Sequence, residues 1–94
     1  MTIKEFKVQY ALGTISLNDK MDMAETPSTS KRILTILSRD KEPWVRDSVA
    51  RNINTPTAVL IELSKDEEVL VRGYVATNEN TPVDILEKLS KDKG

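Results

Sequence analysis

The chain has 94 residues, 38% hydrophobic and 31% charged, with a formal net charge of −1. That length suits one domain with a modest core, and the near-cancelling charge argues against a whole-chain field for nucleic acid or anionic membrane. Cysteine and histidine are absent, which excludes disulfides, thiolate nucleophiles, zinc–sulfur sites and histidine-dependent triads.

A chain without cysteine is compatible with a reducing cytoplasm, which is the expected location. No apolar run approaches the ~18 residues that signal a membrane span. The start, MTIKEFKVQYALG, carries charges inside its apolar stretch and does not read as a signal peptide. Thr2 and Glu5 have the spacing of a capping box. Ile3, Phe6, Tyr10 and Ala11 follow on one helical face, and Gly13 fits a C-terminal stop. A second short helix is predicted over 17–24, behind Ser16, with Met21 and Ala24 facing inward. Residues 25–28 read as a linker, because Thr26-Pro27 lies three residues out of register with the repeated units that begin at Thr29. Residues 1–28 therefore read as an N-terminal helical cap and linker.

From residue 29 a 26-residue unit is written about two and a half times: 29–54, 55–80 and a partial copy, 81–94. A period of this length signals stacked supersecondary units. Each copy opens on Thr, followed by Pro in two of them (Thr55-Pro56, Thr81-Pro82). This predicts Thr at the N-cap and Pro at the first position of a helix of about eight or nine residues. Its apolar face is Ile33, Leu34 and Leu37, then Val59, Leu60 and Leu63, then Ile85, Leu86 and Leu89. A turn follows at 38–40, 64–66 and 90–92, ending on Asp40, Asp66 and Asp92. Asp40 and Asp66 are the expected N-caps of a second helix, with Glu42, Pro43 and Glu68 in its first turn. That helix buries Val45, Val49 and Ala50, matched by Val71, Val75 and Ala76. Asn52 and Asn54, like Asn78 and Asn80, close the unit as turn residues. The final residues, 91–94, are expected to fray.

The string Val45-Arg46-Asp47-Ser48-Val49-Ala50-Arg51-Asn52-Ile53-Asn54-Thr55-Pro56, continuing to Leu60, Leu63, Ser64 and Asp66, resembles the variant leucine-rich repeat family. A second pass runs from Val71-Arg72 through Asn78, Asn80, Thr81, Pro82, Leu86, Leu89, Ser90 and Asp92. The resemblance covers residues 29–94. It implies an all-α, short right-handed α-solenoid of alternating helical segments, α or 3₁₀, akin to HEAT and armadillo stacks. It implies no catalytic residues. Two departures stand out. The family commonly has Asn-Pro before Thr-Pro, where this chain has Ile53-Asn54 and Glu79-Asn80. The array is also short for an extended concave surface. The start, with Glu5-Phe6 and Tyr10-Ala11-Leu12-Gly13-Thr14, resembles small proteins of tailed bacteriophages, which implies a viral source.

Chemistry finds little purchase. The three glycines are scattered and form no phosphate-cradling loop. Asp19, Asp22 and Glu25 share a helix face and could serve a hard cation, but a solvated polar face is the favoured reading, as is a helix start for Asp66-Glu67-Glu68. No metal, cofactor or enzymatic activity is expected. Arg46 and Arg72 recur, each six residues after an Asp. We read them as Arg–Asp pairs tying the second helix to the turn before it, in preference to an anion-binding ladder. Trp44, whose counterpart is Leu70, reads as an apolar position at least partly buried.

Counted by segment, the charge is −1 for 1–28, +3 for 29–54, −3 for 55–80 and zero for 81–94. Lys31, Arg32, Lys41 and Arg51 are replaced in the next copy by Thr57, Ala58, Glu67 and Thr77, so the basic patch ends after one unit. A surface that tracked a nucleic-acid backbone would repeat it. The expected function is a non-enzymatic protein-interaction, scaffold or adaptor module, with Lys31, Arg32, Lys41, Trp44 and Arg51 as the candidate contact residues. The alternative is weak nucleic-acid binding through the basic patch. No membrane contact is expected, and the chain reads as a monomer or a weak head-to-tail self-associator.

Overall fold

A computed structural model describes residues 1–91. Among them are seven helices and no strand: α1 (Ile3–Leu12), α2 (Leu17–Glu25), α3 (Lys31–Leu37), α4 (Pro43–Arg51), α5 (Thr57–Leu63), α6 (Val69–Thr77) and α7 (Val83–Ser90). All seven are α-helices. None is long and apolar enough to cross a membrane. Helices of seven to ten residues are marginal alone, so their stability comes from packing.

The chain is longer in one direction, 40 × 22 × 16 Å. Helices α2, α4 and α6 lie side by side with α4 in the middle; α3, α5 and α7 pack against them, and α1 packs on α3. Because α4 is covered on both sides, every residue from Val45 to Ala50 is buried. The core is Phe6, Leu34, Leu37, Val45, Val49, Leu60, Val71 and Val75, all essentially inaccessible, each contributing about 1.5–3 kcal/mol of burial.

The expected capping signals at the N-terminus are present. The Thr2 hydroxyl accepts from the Glu5 amide, and the Glu5 carboxylate accepts from the Thr2 amide. Gly13 ends α1 in the left-handed region at φ 71°. Ser16 caps α2. Ala11 is exposed, unlike Phe6 and Ile3 on the same helix, and Glu25 belongs to α2, so the connection is shorter than expected.

Several expectations are corrected. Thr55 and Thr81 are not N-caps. Both are buried and turn backwards, donating to the carbonyls of Val49 (2.6 Å) and Val75 (2.7 Å) at the end of the preceding helix. Pro56 and Pro82 take the N-cap position, Ser30 rather than Thr29 caps α3, and α3 and α5 are shorter than expected while α7 has the expected length. Asp40 and Asp66 lie two residues before their caps, Glu42 and Glu68, and accept from those residues' amides at 2.9 and 3.0 Å. This is an Asx turn leading into the helix rather than a cap on it. Ala76 is exposed where its counterpart Ala50 is buried, because no further helix covers that side of α6 among the described residues. No Asn adopts positive φ. Asp92 and the expected fraying at 92–94 lie outside the described residues.

Helix α2 keeps the frame of α4 and α6, with starts at 17, 43 and 69. Its polar contacts keep it too. Thr29 donates to the Met23 carbonyl at 2.6 Å, as Thr55 and Thr81 do 26 and 52 residues later. Lys20 pairs with Asp40 at 3.1 Å as Arg46 pairs with Asp66 at 2.8 Å. The residues of α2 differ from those of α4 and α6, and the likeness lies in the frame and the bonding geometry.

Candidate interaction surface

The repeated polar residues are spent inside the molecule. Asn52 donates its side-chain amide to the carbonyls of Ala24 (2.8 Å) and Thr26 (3.0 Å), and Asn78 does the same to Ala50 (2.8 Å) and Asn52 (3.0 Å). Their side-chain oxygens accept from the amides of Asn54 and Asn80. Asn54 and Asn80 in turn reach back to the carbonyls of Pro27 and Ile53. Each turn thereby satisfies helix-end carbonyls that would otherwise be orphaned. Among the described residues no buried side-chain polar atom lacks a partner.

The arginine expectation is corrected in its partner. Arg46 does bind the turn before its helix, but through the carbonyls of Asp40 (2.8 Å) and Lys41 (3.1 Å). Its carboxylate partner is Asp66, twenty residues on, gripped by Nε at 2.8 Å and Nη2 at 3.2 Å. That two-pronged contact raises the pKa of Arg46 further. Arg72 likewise donates to the Asp66 carbonyl at 2.7 Å. The Asp40 carboxylate, left free by Arg46, is taken by Tyr10 (2.5 Å) and Lys20 (3.1 Å). Burial pushes Asp40 up, yet the Tyr10 hydroxyl, the Glu42 amide and Lys20 together hold it below the usual carboxylate range. Asp47 is held less strongly, by Arg51 and the Ser48 hydroxyl, and burial outweighs them. Burial raises its pKa, with Arg51 opposing at 3.7 Å and Glu25 adding to the rise.

The five candidate contact residues do not form one patch. Arg51 is engaged: it donates to Glu25 (3.0 Å) and Ser48 (3.3 Å) and sits 4.9 Å over the Tyr74 ring, linking α2, α4 and α6. Lys31 and Arg32 are exposed at the start of α3, and Lys41 is exposed beyond its far end. None of these three forms an ion pair with another described residue. Trp44 corrects its expectation of partial burial: it is 54% exposed, and Leu70 is 56% exposed. Both are the second residue of their helices, on the neighbouring elements α4 and α6. Val69, beside Leu70, is also exposed. Composition could not reveal this row, since an apolar residue at a repeated position reads as core.

No group of three acidic side chains among the described residues is arranged to hold a metal ion. Glu25, the last of the Asp19–Asp22–Glu25 series, is occupied by Arg51.

Comparison of the chain with family models, curated proteins and solved structures returns no match.

Proposed function

We propose that the protein is a short helical solenoid of the variant leucine-rich repeat type, acting as a non-enzymatic module that binds a protein partner as scaffold or adaptor. The observation that carries this reading is the row of Trp44 and Leu70. Two large apolar side chains, each more than half exposed, stand at equivalent positions of adjacent helices. Neither adds to the core, and large aromatic and aliphatic side chains held on rigid helices are the usual anchors of interfaces. Lys41, just before α4 in the chain, is also exposed. The repeated frame supports the solenoid part: equivalent hydrogen bonds recur at a 26-residue offset, as in Asn52 to Ala24 and Asn78 to Ala50.

The test is affinity capture from the native host with the intact protein and with a Trp44→Ala, Leu70→Ser variant. The same protein should be recovered by the first and lost by the second, while circular dichroism and melting temperature stay unchanged. Salt-sensitive recovery of nucleic acid alone, or turnover of a substrate by the purified protein, would overturn the reading.

A further inference from the structure

We infer that a second, charge-graded groove over α1, α2 and the start of α3 binds an extended peptide segment of mixed charge. Two adjoining cavities form it, of about 490 and 340 Å³. Met1 and Met23 line both, so the cavities meet at a methionine floor. Thioether side chains adapt their shape to varied apolar partners.

The ends of the groove differ in charge. The larger cavity is lined by Arg32 and the buried Ile33 and holds no acidic residue. The smaller is lined by Asp19 and Asp22 and by no Lys or Arg side chain; the α-amino group of Met1, which lines both, is the cation between the two ends. Elsewhere Lys20 pairs with Asp40 and Arg46 with Asp66 in largely buried contacts, and Arg51 pairs with Glu25 at the surface. The side chains of Arg32, Asp19 and Asp22 are exposed and make no ion pair with a described residue. An occupant that matches carries an acidic residue against Arg32, apolar side chains over Met1 and Met23, and a basic residue against Asp19 and Asp22. A protein segment supplies all three at chain spacing; nucleic acid supplies no cation for the acidic end. Electrostatic complementarity of this kind selects partner and register.

This groove lies on different helices from the Trp44 and Leu70 row, so the proposal goes beyond the interaction reading and gives an adaptor its second face. It is tested by fluorescence anisotropy with three labelled hexapeptides. The first has a glutamate pair at one end, two central leucines and a lysine pair at the other. The second and third carry only acidic or only basic ends. The mixed peptide should bind best, with the other two weaker by about tenfold. In an Arg32→Glu variant both ends of the groove become acidic, and the preference should pass to the all-basic peptide. The Trp44→Ala, Leu70→Ser variant should bind the mixed peptide as the parent does, which separates this site from the first. No binding of the mixed peptide at millimolar concentration, or the same order of preference in the Arg32→Glu variant, overturns the proposal.

Discussion

Tyr10 donates its hydroxyl to the carboxylate of Asp40 across 2.5 Å, joining the first helix to the turn between the third and fourth. Lys20 completes the contact at 3.1 Å, also stacking 5.2 Å over the Tyr10 ring. Together they fill on Asp40 the place that Arg46 fills alone on Asp66. Burial first, then the hydrogen bond to Asp40 and its charge, push the Tyr10 pKa above its ordinary range, so the phenol stays a donor throughout neutral pH. Tyr10→Phe should cost about 2 kcal/mol, as for a hydrogen bond to a charged group. Asp40 has a depressed folded pKa, so its stabilisation is present above the unfolded value near ~3.9 and is lost as pH falls through the folded value. The gap between parent and variant should therefore be full at neutral pH and close in acid. Urea unfolding at several pH values measures it.

Arg46 and Arg39 both form ion pairs, and their burial decides which matters. Arg46 and Asp66 are 11% and 10% exposed, against 66% and 55% for Arg39 and Glu62. Arg46→Ala strands a carboxylate and two carbonyls, at an expected cost of about 3–5 kcal/mol. Arg39→Ala should change stability by about 0.5 kcal/mol or less. Equal losses in denaturant titrations would contradict this division.

Asp47 is buried and its folded pKa is raised by that burial. A raised carboxyl pKa means that ionisation opposes folding progressively as pH rises through the unfolded pKa, and in full above the folded value. Asp47→Asn should then stabilise by about 1 kcal/mol at neutral pH, and the gain should vanish below the unfolded pKa of ~3.9. Melting temperatures across pH 3–8 (roughly the span between these limits) provide the check, and a loss at neutral pH would count against it.

The amides of Asn52 and Asn78 each satisfy two carbonyls, at the ends of α2 and α4 respectively. Asn52→Ala should cost about 2–3 kcal/mol by leaving buried acceptors unpaired. Asn52→Asp should cost more, since it sets a negative charge against the same carbonyls. Hydrogen exchange near Ala24 and Thr26 should accelerate in both.

Two glycines should respond in opposite directions to alanine. Gly13 stands at φ 71°, so Gly13→Ala should destabilise by about 1 kcal/mol. Gly73 is inside α6 with open space where a Cβ would go, so Gly73→Ala should stabilise by about 0.5–1 kcal/mol. Thermal melts of the pair read both signs.

Local chemistry determined what the sequence alone could reveal. The apolar spacing of Ile33, Leu34 and Leu37 and of Val45 and Val49 marks helices and their buried faces, because period and burial are both written within a few residues. The capping box at Thr2 and Glu5 and the stop at Gly13 are local for the same reason. The 26-residue spacing also told which polar residues would be equivalent. It did not tell what they touch. Asn52 reaches back 28 residues, Arg46 reaches forward 20, and Tyr10 reaches forward 30. Those partners exist only once the helices lie side by side, and a contact across that distance leaves no periodic trace. The tertiary structure also decided exposure. Trp44 and Ala76 look like core beside Val45 and Val75 in the sequence, and both face outward. Whether an apolar side chain is buried depends on the presence of a helix above it, and that is a property of the stack.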